Sequence, residues 1–143
     1  MSAERDDGLS IPGPDPSPGG DVYDWYQRGL DLLKNGSPEA AAQLLVRAAS
    51  AQPSSPSIQE ALARAQFDAG RYAEAADTFR GIVDDDPADH YARFGFGMAS
   101  MRLGNVEAAV EQLALAAAMR PDQEHYVSAL RSARATLRAR RDA

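Results

Sequence analysis

Four groups of residues in this 143-residue chain carry side chains that could do chemistry. The first is the run Asp84–Asp86, which concentrates carboxylates as a cation site does. It lacks the further oxygens, at fixed intervals, of an EF-hand loop. It also closes an apolar helical stretch, where acids oppose the helix dipole, and reads as a solvated cluster. The second is Glu60 with Arg64, four residues apart and so on one face of a helix, a spacing that suits a structural ion pair better than an acid–base unit. The third is the pair of imidazoles, His90 and His125. Each falls at a helix start without carboxylates placed for a triad or a metal site. The fourth is basic: Arg131, Arg134, Arg138 and Arg141 recur every three or four residues, beside an apolar stripe of Leu130, Ala133 and Leu137. That face reads as a solvated cap attracted to an acidic body, with nucleic acid, anionic lipid or an acidic partner as the alternative. There is no cysteine, which excludes disulfides, thiolate zinc sites and cysteine nucleophiles. The patterns GxxxxGK(S/T), GxSxG and HExxH are missing as well. The expectation is a protein with no catalytic residues, no metal and no cofactor.

The totals fit that reading. Charged residues make up 25% and hydrophobic ones 44%, ordinary values for a globular domain, and the length suits one domain with a modest core. The net charge of −6 is uneven. Residues 1–21 hold five acids and one base, residues 22–130 fifteen acids and nine bases, and residues 131–143 five arginines and one acid. An acidic body makes nucleic acid an unfavourable partner, because binding it requires many cations. No apolar run approaches the ~18 residues of a membrane span, and the start MSAERDDGLS lacks the basic-then-apolar pattern of a secretory signal. A cytoplasmic location is expected. Lys34 stands alone against 14 arginines, which with the abundant alanine points to a GC-rich bacterial genome.

These groups need elements to hold them. Residues 1–20 end in IPGPDPSPGG, which can form neither helix nor ladder and is expected to be a disordered or extended tail. Within it, Leu9 and Ile11 are the candidates for a binding segment. From Asp21 onward the chain repeats every 34 residues. Pro53, Pro87 and Pro121 share this interval, as do Gly36, Gly70 and Gly104, and Ala41, Ala75 and Ala109. Gly29, Ala63 and Gly97 form a register of small residues; Leu45, Phe79 and Leu113 form one of large apolar residues. A fixed period of this size signals stacked supersecondary units. Each unit reads as a helical hairpin in which Asp21, Ser37, Ser55 and Asp89 cap helix starts, with Pro38 and Pro56 at first helical positions. The glycines end the first helix of each hairpin in a left-handed conformation. A seventh helix, about Glu124 to Arg141, follows alone.

A 34-residue hairpin with these residues resembles the tetratricopeptide repeat, whose pattern runs Trp, Leu-Gly, Tyr, then Ala, Phe and Pro. The first unit matches at Trp25, Gly29, Ala41, Ala48 and Pro53, and the second at Leu62, Ala63, Ala75, Phe79 and Pro87. The third matches at Phe96, Gly97, Ala109, Ala116 and Pro121. Leu32, Gln66 and Ser100 stand where the family has Tyr, and Arg28 where it has Leu. The resemblance implies an all-α solenoid: a right-handed superhelix of three hairpins, about 22–55, 56–89 and 90–123, with a capping helix at 124–141. Leu45, Phe79 and Leu113 are expected to fill the wedge between one hairpin and the next, and Trp25 to be a packing residue.

The family's concave wall, built by the first helix of each hairpin, binds peptides or helices of partner proteins. Carried onto this chain, that wall implies partner contacts at Tyr23, Tyr26, Leu30, Leu33, Arg64, Phe67, Tyr91, Phe94, Met98 and Met101. The wider wall adds Gln27, Lys34, Ser57, Glu60, Ala61, Asp68, Gly95 and Arg102. Aromatic and methionine side chains suit an apolar peptide or an amphipathic helix. Members that grip a chaperone tail by its terminal carboxylate use Lys, Asn and Arg, whereas the matching places here hold Tyr26, Leu30, Ala61, Tyr91 and Gly95. A non-catalytic interaction module, with no small-molecule substrate, is therefore expected. The alternatives are a secretion-type chaperone shielding an apolar segment and a self-associating scaffold or homodimer.

Overall fold

The residues that start and stop the helices are those that recur every 34 positions. The computed structural model describes residues 18–143. Among these run α1 (Pro18–Lys34), α2 (Pro38–Ala51), α3 (Pro56–Asp68), α4 (Tyr72–Asp85), α5 (His90–Arg102), α6 (Val106–Met119) and α7 (Glu124–Asp142). Gly36, Gly70 and Gly104 follow α1, α3 and α5 with φ of 80°, 81° and 84°. A side chain is strained in that left-handed region, so the turn falls on the residue that has none. The amides of Ser37, Arg71 and Asn105 then reach back to the carbonyls of Leu32, Gln66 and Ser100 at 2.8, 2.8 and 2.9 Å. These bonds satisfy carbonyls that the helix end would otherwise orphan.

The helix starts are less uniform than the spacing suggests. The Ser55 hydroxyl accepts from the amide of Ile58 at 3.4 Å, and the Asp89 carboxylate from that of Ala92 at 3.0 Å. Ser37 holds the cap position of α2 without a side-chain bond, and Pro38 starts the helix with no amide to satisfy. Asp21 lies inside the first turn of α1 rather than ahead of it, where its charge complements the dipole. Helix α1 thus takes in positions 18–20 of the stretch read as a tail. The rest of that stretch, with Leu9 and Ile11, lies outside the described residues.

Each helix packs on the next, and α1, α3, α5 and α7 also approach in succession, whereas no Cα of α2, α4 or α6 comes within 8 Å of another of these three helices. The stack therefore curves, with the first helices of the hairpins along its inner wall. The small residues permit this closeness: Ala41, Ala75 and Ala109 are wholly buried. Leu45 and Leu113 are wholly buried too, each against a glycine of its own hairpin. A Cβ on Gly29 would stand 2.6 Å from Leu45, and one on Gly97 would stand 2.7 Å from Leu113. Only Phe79 of the three reaches forward in this way, where a Cβ on Gly95 would meet its ring at 2.3 Å. The expected wedge thus belongs to Phe79, while Leu45 and Leu113 close their own hairpins. Each such side chain contributes about 1.5–3 kcal/mol by burial. Trp25 packs half-buried on the first core cluster, with the Arg47 guanidinium 4.7 Å from its ring. Leu130 and Ala133 of α7 close the open end against Leu113.

Candidate peptide-binding groove

Helices α3 and α5 lie side by side on the inner wall, and between them opens a recess of about 210 Å³. Its floor is Phe79 and Gly95, its sides are Phe67, Tyr91, Phe94 and Met98, and Arg64 and Asp68 stand at its mouth. The depth comes from Gly95: a side chain there would occupy the place of the Phe79 ring. Phe79 meets Tyr91 edge to face, with centroids 6.1 Å apart at 72°. Burial raises the Tyr91 phenol to about 12, with Arg64 acting in the opposite direction. Phe67 lies edge-on to Tyr72 at 5.2 Å. The Arg102 guanidinium sits 5.3 Å from the Phe67 ring and donates to the Tyr72 hydroxyl at 2.5 Å.

Phe94 is held from the other side by α7. It stacks on Tyr126 at 4.7 Å and 25°, and His125 meets it edge-on at 5.2 Å. Tyr126 is 2% exposed, and its hydroxyl lies 2.8 Å from His90 Nδ1. The other ring nitrogen, Nε2, lies 3.3 Å from an Arg120 N–H. Arginine can only donate, so Nε2 accepts and Nδ1 carries the proton that it gives to Tyr126. His90 is thus part of the latch between the third hairpin and the cap.

The charges on the wall offset one another. Burial holds the Glu60 carboxyl above the usual carboxylate range, Asp89 adds to this, and Arg64 counters it. The expected Glu60–Arg64 ion pair does not form: no salt bridge joins them, and Arg64 is exposed at the groove. Asp68 stands one turn further along α3.

The ten contact residues carried over from the resemblance fall into three sets. Arg64, Phe67, Tyr91, Phe94 and Met98 share the recess between α3 and α5. Tyr23, 62% exposed, and Tyr26 line a second recess of about 280 Å³ with Val22, Ser57 and Ile58. Leu30, Leu33 and Met101 are half-buried against the core clusters and line neither. Phe79 was missed as a groove residue, and so was the role of Gly95 as floor. The sequence marks position 95 as a small residue on the inner wall, but no spacing ties it to Phe79.

On the opposite side of α7, Arg131, Arg134, Arg138 and Arg141 are exposed, and Arg140 donates to the Gly104 carbonyl at 2.9 Å. Asp84–Asp86 are exposed, and Asp86 accepts from the Ala88 amide at 3.2 Å. Among the described residues no group of three His, Cys, Asp or Glu side chains could hold a metal ion. No helix there is long and apolar enough to cross a membrane.

A stack of three hairpins and a cap, carrying a groove on its inner wall, defines a helical-repeat interaction protein. Two tetratricopeptide repeat profiles match residues 26–90 and 66–133, and the chain belongs to the tetratricopeptide repeat (TPR) family. Among solved structures, the first TPR domain of the human RPAP3 protein superposes with a TM-score of 0.79 at 19% identity. That match covers 89% of this chain and 99% of the other. The second TPR domain of human RPAP3, solved with the HSP70 peptide SGPTIEEVD, gives 0.75 at 20% identity over 82% of this chain and 98% of that one. MamA from Desulfovibrio magneticus RS-1 gives 0.77 at 20% identity over 81% of this chain and 66% of that one. No curated protein matches the sequence. The likenesses extend to the fold, which serves as a protein-interaction module.

Proposed function

We propose that this protein is a non-catalytic adaptor whose inner wall binds an apolar peptide or an amphipathic helix of a partner protein. The observation that carries this reading is the recess between α3 and α5, walled by four aromatic rings and Met98. Its volume exceeds the ~150 Å³ of a cavity that accepts benzene, so it has room for one large apolar side chain. Rings and thioether favour an aliphatic or aromatic anchor through contact area and edge-to-face geometry. Helices and extended peptides both present such anchors at regular intervals. The second TPR domain of human RPAP3 holds the HSP70 peptide SGPTIEEVD in the same fold. Here the clamp places hold Tyr26, Leu30, Ala61, Tyr91 and Gly95, so the apolar anchor takes the larger share of the energy.

Capture from a lysate of the source cells tests the reading, comparing wild type with Arg64→Glu plus Phe67→Ala. Arg64 is exposed and Phe67 half-buried, so the helical circular-dichroism spectrum should be retained. A hot-spot loss of about 2 kcal/mol corresponds to roughly thirtyfold weaker recovery of the groove partner. Equal recovery with both proteins overturns the proposal.

A further inference from the structure

We propose that the chain's own N-terminal segment, around Leu9 and Ile11, occupies the groove in cis and holds it closed until a partner displaces it. This rests on the groove being the binding site. The recess between α3 and α5 prefers large apolar side chains, and the sequence ahead of α1 contains two of them, Leu9 and Ile11. They stand among acids and glycines, in ERDDGLSIPG, with no other aliphatic side chain larger than alanine beyond Met1.

The reach suffices. Leu9 precedes the start of α1 at Pro18 by nine residues, which span up to about 30 Å when extended. Neighbouring helix axes lie about 10 Å apart, and α1, α3 and α5 approach in succession. From the start of α1 the recess is therefore roughly 20 Å across the wall and 15 Å along it, or about 25 Å away. Pro12, Pro14 and Pro16, with Gly13, disfavour a helix that would shorten this span.

The path is also marked. Tyr23, with most of its surface exposed in the second turn of α1, lines the recess of about 280 Å³ with Val22, Tyr26 and Ile58. An extended segment leaving α1 and turning back along the inner wall meets this recess first and the aromatic one second.

Charge neither opposes nor drives this course. Glu4, Asp6 and Asp7 precede Leu9, and Arg64, exposed at the mouth of the aromatic recess, forms no ion pair with any described residue. The Arg102 guanidinium stands over the Phe67 ring and is already bound to the Tyr72 hydroxyl. Asp68 carries the opposite sign at the mouth, and Arg5 is the tail's answer to it. A segment with two aliphatic anchors thus complements an apolar recess whose rim carries Arg64 and Asp68.

The consequence is competition. A groove filled by its own tail for about 90% of the time binds a partner about tenfold more weakly than an open one. The full chain tests this through its methionine methyl groups, four in number, with Met98 in the recess and Met119 exposed on α6 outside it. In full-length protein labelled with 13C at the methyl groups, Leu9→Asp plus Ile11→Asp should move the Met98 resonance and leave that of Met119 in place. A synthetic peptide of residues 1–17 added to this variant should return Met98 toward its wild-type position, and added to wild type should move it little. A Met98 resonance unmoved by the double substitution overturns the proposal. So does a wild-type position that shifts toward the variant's on dilution, which would assign the tail to a second copy. The groove variant Arg64→Glu plus Phe67→Ala separates the two readings. Partner loss in that variant, with Met98 unmoved by the tail variant, sinks the tail and leaves the groove standing.

Discussion

Gly95 is the residue on which the depth of the groove depends. Two effects compete there when a methyl group is added. Alanine is the better helix former by about 0.5–1 kcal/mol, which would stabilise α5. The new Cβ, however, would lie 2.3–2.6 Å from three atoms of the Phe79 ring. That ring is 2% exposed and meets Tyr91 edge to face, so admitting the methyl group breaks this contact and pushes the ring into the recess. Overpacking of a buried site costs about 1–3 kcal/mol, and this term wins. Gly95→Ala should lower the urea midpoint by an amount equivalent to about 1 kcal/mol, whereas a midpoint above wild type would show that Phe79 does not hold this position. Position 95 was readable from the sequence as a small residue on the inner wall, together with Ala61 one period earlier. Its partner was not. Nothing in the 34-residue register says that Phe79 reaches forward while Leu45 and Leu113 pack back onto Gly29 and Gly97. That choice depends on ring size and on how two hairpins meet, which is settled only in three dimensions.

Among the elements, α7 shows most clearly what spacing reveals and what it conceals. Its length, its buried stripe of Leu130 and Ala133 and its arginine face were all legible from three- and four-residue intervals. Its docking was not, because the latch joins residues 36 apart: His90 on α5 and Tyr126 on α7. Gln123 caps the helix without a side-chain bond, so packing rather than capping fixes its start. Tyr126 contributes in two ways that substitution separates. Tyr126→Phe keeps the ring against Phe94 and removes the hydroxyl that accepts from His90. This leaves the half-buried His90 donor unmet, at a cost of about 1 kcal/mol, the low end for a lost partner. Tyr126→Ala removes the stack as well and should cost about 3–5 kcal/mol. Denaturant melts of the two variants should keep this order. Equal losses would mean that the ring contributes nothing beyond its hydroxyl, contrary to the stacked geometry with Phe94.

Across the whole molecule, charge divides the surface into regions with different salt behaviour. The inner wall carries Arg64 and Arg102 against Glu60 and Asp68, so its net field is weak. The outer face of α7 carries Arg131, Arg134, Arg138 and Arg141, all exposed and with no ion pair to any described residue. The screening length falls from about 10 Å at 0.1 M salt to about 3 Å at 1 M, so a partner held by the arginine stripe is released by salt. A partner held by an apolar anchor is not, because burial is indifferent to screening and strengthens slightly with excluded salts. Recovery of the groove partner should therefore hold or rise between about 0.1 M and 1 M salt. Arg134→Glu plus Arg138→Glu should leave it within about twofold, the ±0.5 kcal/mol expected of surface changes away from the contact. A partner lost both to salt and to the arginine substitutions, yet retained by Arg64→Glu plus Phe67→Ala, would move the binding surface from the inner wall to α7.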